Sequence, residues 1–133
     1  MEGKEKIISD YCPEELFKLE PVDLTNLLYK EFSFNIAFNE ATISIHDLPY
    51  IQELIMKMGN SFPYLAYLSS LAKINVRQAK REKLKKEEIE DAIDRKEAIS
   101  NITESVDKQY TALSRIITVK QQINEELKMT NGR

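Results

Sequence analysis

Apolar residues recur at helical spacing through most of the second half of the chain. One run steps by three or four residues through Leu65, Leu68, Ala72, Val76 and Ala79, and a second steps likewise through Ile99, Ile102, Val106, Tyr110, Leu113 and Ile117. Such steps keep side chains on one face of a helix. No glycine or proline lies between Tyr64 and Asn131, so no residue there forces a helix to end. The pattern predicts two long helices.

One straight helix over these residues would be about 100 Å long, whereas a compact chain of this size has a radius of gyration of about 14 Å. The two helices therefore either fold back on each other, with a turn in 85–103, or pair between chains. We predict a mainly α fold, in which 47–133 forms an antiparallel helical hairpin or coiled coil and the protein is oligomeric. The predicted helix-packing residues are Leu65, Leu68, Ala72, Val76, Val106, Tyr110, Leu113 and Ile117.

Residues 1–46 are predicted to form a separate N-terminal segment with a short helix and a β-hairpin. Pro13 followed by two glutamates is typical of a helix start, and Pro21 predicts that this helix is brief. Over 31–45, apolar residues alternate with polar or small ones, around a turn at Asn39-Glu40. Alternation with a period of two indicates strands with one buried face. The alternating apolar residues are Phe32, Phe34, Ile36, Phe38, Ile43 and Ile45.

The following helix has its own predicted boundaries. Asp47-Leu48-Pro49 is a typical helix start, with an N-cap residue and a proline in the first turn. Gly59 is expected to end or bend this helix, and Ser61-Phe62-Pro63 to restart it.

Composition narrows the classes of function. The 133 residues suit one domain, and 19 basic against 22 acidic residues give a net charge of −3, so any anion-binding surface must be local. With one cysteine, Cys12, no internal disulfide can form, and a reducing cytoplasm is expected. No apolar run is long enough to span a membrane. Metal, cofactor and nucleophile motifs are missing, and His46 is the one histidine, so we expect neither an enzyme nor a cofactor.

The strongest local feature is a reversal of charge along the second half of the chain. Between Lys73 and Lys86 there are seven cations against one acid, a net charge of +6, and 87–97 then carries −4. Successive cations at helical spacing favour contact with a phosphate backbone. The candidate nucleic-acid-binding residues are Lys73, Arg77, Lys80, Arg81, Lys83, Lys85 and Lys86.

Two other interpretations fit the same charges. In the first, the block is a solvated helix face held by pairs such as Glu82–Lys86 or Arg81–Glu88. Alternatively, the basic block pairs with the acidic block of an antiparallel neighbour and sets the register of the helices. Tyr64, Tyr67 and Tyr110 could stack on bases, although their helical positions favour packing.

Residues from about Ile51 to Met129 resemble the UvsY-like family of bacteriophage recombination mediators. The resemblance lies in Tyr64-Leu-Ala-Tyr-Leu68 at a helix start, then Ala72 and the basic run Arg77-Gln-Ala-Lys-Arg-Glu-Lys83. An acidic stretch at 87–93 follows, and then Tyr110-Thr-Ala-Leu113 leads into Val119-Lys-Gln-Gln-Ile123. Residues 1–46 have no counterpart in this pattern.

The resemblance implies a homo-oligomeric, non-enzymatic protein in the cytoplasm of a bacterial host. Such a protein binds single-stranded DNA, helps to displace the single-strand-binding protein and loads a RecA-type recombinase. The family's basic segment would correspond to Arg77, Lys80, Arg81 and Lys83. A second hypothesis, from a different class, is a coiled-coil adaptor or inhibitor that acts on a replication or transcription enzyme without contacting DNA.

Overall fold

The computed structural model describes residues 7–34 and 48–131, and every regular element in these two ranges is helical. A short 3₁₀ helix at Ile8–Asp10 precedes α1 (Pro13–Leu16) and α2 (Pro21–Phe32). The long helices α3 (Leu48–Arg81) and α4 (Lys86–Asn131) pack against each other as an antiparallel hairpin. The prediction of a mainly α fold built on a helical hairpin is confirmed.

The two apolar runs face each other inside this single chain. Tyr110 is half-buried among them, and the other predicted packing residues are buried. Ile99 and Ile102 complete the centre of the same core. Burial of one such side chain is worth about 1.5–3 kcal/mol, so these residues hold the hairpin together. The buried members of the predicted set are Leu65, Leu68, Ala72, Val76, Val106, Leu113 and Ile117.

The turn between α3 and α4 spans Glu82 to Lys85. The predicted range for the turn, 85–103, begins only at the last of these residues. The amide of Leu84 donates to the carbonyl of Ala79 at 3.1 Å, and that of Lys83 to the carbonyl of Lys80 at 3.2 Å. These two bonds form a Schellman motif, which needs a residue in the left-handed region. Lys83 takes that conformation, with φ of 55°. Because glycine usually fills this position, the sequence gives no sign of the turn.

Helix α3 runs without interruption through Gly59 and Pro63, so the predicted end and restart of the helix are wrong. Pro63 cannot donate a backbone hydrogen bond to the carbonyl four residues earlier, which normally breaks a helix. Met58, Ser61 and Leu65 are all buried, and they carry one packed face across this point. Tertiary packing on α4 therefore outweighs the local cost of the proline.

The predicted β-hairpin over 31–45 finds no support in the described residues. Phe32 and the residue before it form the last turn of α2, and 35–45 lie outside the described ranges. Leu24, Leu28 and Phe32 are buried at a spacing of four, which is one face of a helix packed against α4. The ring of Phe32 lies 6.2 Å from that of Tyr64 on α3. This helical spacing overrides the short alternation that begins at Phe32.

The two long helices differ in length. Helix α4 has 46 residues and α3 has 34, which correspond to about 69 Å and 51 Å. Because the turn joins them at one end, the last turns of α4 extend past the start of α3. Ile123 and Leu127 lie on this extension and are 47% and 56% exposed. We call 121–131 the α4 extension.

Candidate nucleic-acid interface

The seven predicted DNA-binding cations lie together at the turn end of the hairpin, and we call them the basic tip. Four of them belong to the last turns of α3, two lie in the turn, and Lys86 begins α4. All seven side chains are exposed. The members of the basic tip are Lys73, Arg77, Lys80, Arg81, Lys83, Lys85 and Lys86.

Most of the basic tip has no acidic partner. Lys86 Nζ lies 3.9 Å from Glu90 Oε1, within α4. In 7–34 and 48–131, the other six cations have no acidic group within 4.0 Å. The pairs expected for a simple solvated face, Glu82–Lys86 and Arg81–Glu88, are therefore not formed. Six cations remain available to an external anion.

Helix dipoles explain part of the charge reversal. Lys80 and Arg81 lie in the last turn of α3, where the helix end is negative, and Glu87 and Glu88 lie in the first turn of α4, where it is positive. Each such placement stabilises a helix by about 0.3–1 kcal/mol. These four charges thus have a structural role that needs no ligand. The dipoles do not account for Lys73 and Arg77, which lie further from the end of α3.

The antiparallel hairpin also sets the basic block of α3 beside the acidic block of α4 in the same chain. Charges of +6 and −4 so close together largely cancel beyond the Debye length, which is about 8 Å at physiological salt. The tip therefore attracts a polyanion only weakly from a distance. It can act on one through direct contact, where individual cations meet individual phosphates.

The three candidate stacking tyrosines divide into two groups. The ring of Tyr110 packs edge to face on Phe62, with centroids 5.4 Å apart and an interplanar angle of 82°. Tyr64 packs on Phe32, and its pKa is raised by burial and by the negative charge of Glu31. Tyr67 is 53% exposed on α3, and it precedes Lys73, the first residue of the basic tip, in the chain. Of the three, Tyr67 is the exposed one, and the other two are half-buried.

Tyr67 also lines a groove of about 530 Å³ between α1 and α3, which we call the α1–α3 groove. Phe17 comes to it from the end of α1, and Asn75 and Gln78 come from α3. These residues do not stand out as one site in the sequence, because α1 and α3 come together only in the folded chain. The signs in the sequence are Tyr67, one of the three candidate stacking tyrosines, and Ile74, an apolar residue outside the packed face, which is 47% exposed.

In the described residues, no three histidine, cysteine, aspartate or glutamate side chains are grouped so that they could hold a metal ion. The helices of that part of the chain also lack the combination of length and apolar character required to cross a bilayer.

No family model, no curated protein and no solved structure matches this chain. The resemblance to UvsY-like mediators thus remains a prediction made from the residues alone.

Proposed function

We propose that the basic tip binds single-stranded DNA, and that the protein is a non-enzymatic recombination mediator of phage type acting as a homo-oligomer. The observation that supports the DNA contact is that six exposed cations lie at one end of the hairpin, none of them with an acidic neighbour within 4.0 Å in the described residues. Phosphates provide the sequence-independent part of nucleic-acid affinity.

The affinity of one tip should be low. About four phosphate contacts on a single strand predict a slope of log K against log salt concentration of about −3. Several copies held together would raise the apparent affinity, since each further contact becomes intramolecular. Oligomer formation is accordingly part of the proposal. The apolar residues of the α4 extension supply a surface that an oligomer would bury.

The decisive test is a triple charge reversal at the tip. Arg77→Glu, Lys80→Glu and Arg81→Glu together should abolish salt-sensitive binding of a fluorescently labelled single-stranded oligonucleotide, measured by anisotropy at two salt concentrations. These side chains are exposed, so the helical circular-dichroism signal should persist. Light scattering of the same samples measures the oligomeric state.

The matched control reverses three exposed cations away from the tip, Lys57, Lys108 and Arg115. It changes the net charge by the same amount. If both triple variants lose affinity equally, the effect is one of net charge and the tip is not the site. If neither loses affinity, or if the wild-type protein does not bind the oligonucleotide, the proposed DNA contact is wrong.

The roles in displacing the single-strand-binding protein and loading a RecA-type recombinase rest on the family resemblance. They predict that the purified protein shortens the lag before a recombinase assembles on a strand already covered by single-strand-binding protein. The tip charge-reversal variant should not shorten that lag.

The second candidate function, a protein-binding adaptor without DNA contact, is favoured by the exposure of Ile123 and Leu127 on the α4 extension. It predicts no oligonucleotide binding at physiological salt. It also predicts that Ile123→Asp with Leu127→Asp abolishes capture of a replication or transcription enzyme that the wild-type protein retains.

A further inference from the structure

Aromatic, aliphatic and amide groups converge on the α1–α3 groove. Tyr67 and Ile74 are 53% and 47% exposed, and Pro13, Phe17 and Leu71 add to the apolar lining. A volume of about 530 Å³ lies within the range of sites that hold small organic groups. The groove is large enough for a flat ring and its immediate neighbours.

A polar atom at this groove lacks a partner. The Oδ1 atom of Asn75 is buried and makes no hydrogen bond in the described residues. Leaving a buried acceptor without a donor costs about 1–3 kcal/mol. This atom has almost no exposed surface, so the N–H group of a ligand would reach it, and remove this cost, only after the Asn75 side chain turned towards the groove. Asn75 and Gln78 both line the groove, and side-chain amides can pair with the edges of nucleobases.

Cationic side chains lie in and next to the groove. Lys18 lines it on the α1 side. On α3, Arg77 directly precedes the lining residue Gln78, and Arg81 follows it by three residues and lies on the same side of the helix. Neither arginine has an acidic group within 4.0 Å in 7–34 or 48–131. Glu14 is the one acidic side chain in the lining.

We infer that the α1–α3 groove holds a base of single-stranded DNA while Arg77 and Arg81 hold the adjoining phosphates. This inference rests on the proposed DNA-binding function. It adds a base-binding site beside α3 to the phosphate-binding tip. An aromatic face for stacking beside a cationic track is the general arrangement by which proteins grip single strands. In this chain Tyr67 supplies the ring and Asn75 the hydrogen-bonding group.

The test compares two oligonucleotides with equal charge, one with natural bases and one with the same number of abasic residues. Binding through phosphates alone would give the two oligonucleotides the same affinity. Since stacking of one base is worth about 1–3 kcal/mol, the full-length protein should bind the base-bearing strand about tenfold more tightly. Tyr67→Ala and Asn75→Leu should reduce this ratio towards one, and Tyr67→Phe should retain it.

Tyr50 supplies a matched control. It is 57% exposed on the same helix, and it lies outside the groove lining. Tyr50→Ala therefore removes a comparable exposed ring and should leave the ratio between the two oligonucleotides unchanged. Thermal unfolding of each variant, followed by circular dichroism, checks that its fold is intact.

Cys12 offers a second, independent measurement. It is exposed, it lines the groove, and it is the one cysteine of the chain. At saturating concentrations, the base-bearing oligonucleotide should slow alkylation of Cys12 by the uncharged reagent N-ethylmaleimide several-fold. The abasic oligonucleotide should not slow it.

The possible failures are distinguishable. Equal affinity for the two oligonucleotides, or a preference that survives both Tyr67→Ala and Asn75→Leu, overturns the base-binding groove and leaves phosphate binding at the tip standing. Unchanged alkylation of Cys12 in the presence of saturating base-bearing oligonucleotide also overturns it. If the wild-type protein binds neither oligonucleotide, the proposed function fails, and the groove inference fails with it.

Discussion

Nε of Arg95, on α4, donates a 2.7 Å hydrogen bond to the backbone carbonyl of Leu19, 76 residues earlier in the chain. The bond fixes the connection between α1 and α2 to the side of the hairpin. Arg95 is a cation within the acidic stretch 87–97. Because its side chain bonds to the backbone of Leu19, its role is structural. It shows that the N-terminal helices and the hairpin are joined by a polar contact as well as by a shared core.

Arg95→Met should lower the free energy of unfolding by about 1.5–3 kcal/mol, because hydrogen bonds from charged groups fall in this range. Methionine retains much of the aliphatic packing and removes the donor. Urea unfolding followed by circular dichroism measures the change. The control is Lys96→Met, at the adjacent exposed position, where a change within about 0.5 kcal/mol is expected. Equal effects of the two substitutions would contradict a specific role for the Arg95–Leu19 bond.

Lys83→Gly should stabilise the protein, because a non-glycine residue in the left-handed region costs about 1–2 kcal/mol. Lys83 holds φ of 55° in the turn. Lys83→Ala removes the same charge and keeps the Cβ atom, so it should give no comparable gain. The difference in unfolding free energy between the two variants isolates the backbone term. Equal stability of the two variants would show that the turn does not hold residue 83 in this conformation.

Gly59→Ala should also stabilise the protein, since glycine within a helix costs about 1 kcal/mol relative to alanine. A Cβ atom at this position would lie 3.7 Å from Cε2 of Tyr110, which is ordinary van der Waals contact. The reciprocal substitution Ala66→Gly, at an exposed site on α3, should destabilise by a similar amount. Thermal unfolding midpoints should therefore move in opposite directions. A loss of stability in Gly59→Ala would mean that α3 and α4 pack more closely at this point than the structure indicates.

Tyr64 should make stability depend on alkaline pH. Burial and the charge of Glu31 raise the pKa of Tyr64, whereas in the unfolded chain its phenol ionises near pH 10. Below about pH 10 the phenol is neutral in both the folded and the unfolded chain, and its contribution to stability is complete. That contribution is lost as the pH rises through the folded-state pKa. Urea unfolding at about pH 8 and about pH 11 should show a smaller loss of stability for Tyr64→Phe than for wild type. If the difference in unfolding free energy between wild type and Tyr64→Phe is the same at both pH values, the prediction is contradicted.

The salt dependence of DNA binding should count the contacts at the tip. Each single substitution to glutamine at Arg77, Lys80 or Arg81 should make the negative slope of log K against log salt concentration shallower by about 0.7. Lys57→Gln should leave the slope unchanged, because Lys57 lies far along α3 and 4.0 Å from Glu53. A slope unaffected by all three tip substitutions would remove these residues from the interface.

The apolar spacing of the sequence predicts the hairpin because each long helix must bury one continuous face. Leu68 on α3 and Val106 on α4 illustrate this, since both are fully buried at predicted positions. The turn escaped prediction for a local reason: Lys83 occupies a conformation that sequence rules reserve for glycine. The continuity of α3 through Pro63 escaped it because tertiary packing, which no local rule contains, compensates for the lost hydrogen bond.

The error at Phe32 has a different origin. Its period of two with Phe34 and its period of four with Leu28 are both present in the sequence, and the prediction followed the shorter one. The basic tip was predicted as a set because its members all lie between Lys73 and Lys86 in the sequence. The α1–α3 groove was not predicted, since Phe17 and Tyr67 are 50 positions apart and come together through folding.

The extra length of α4 gives the hairpin two chemically different ends, a cationic one at the turn and one at 121–131 that exposes Ile123 and Leu127. Copies that joined through these two apolar side chains would keep their cationic tips away from the junction. Because α4 is about 69 Å long, neighbouring tips in such a cluster would reach separate stretches of one DNA strand rather than compete for the same phosphates.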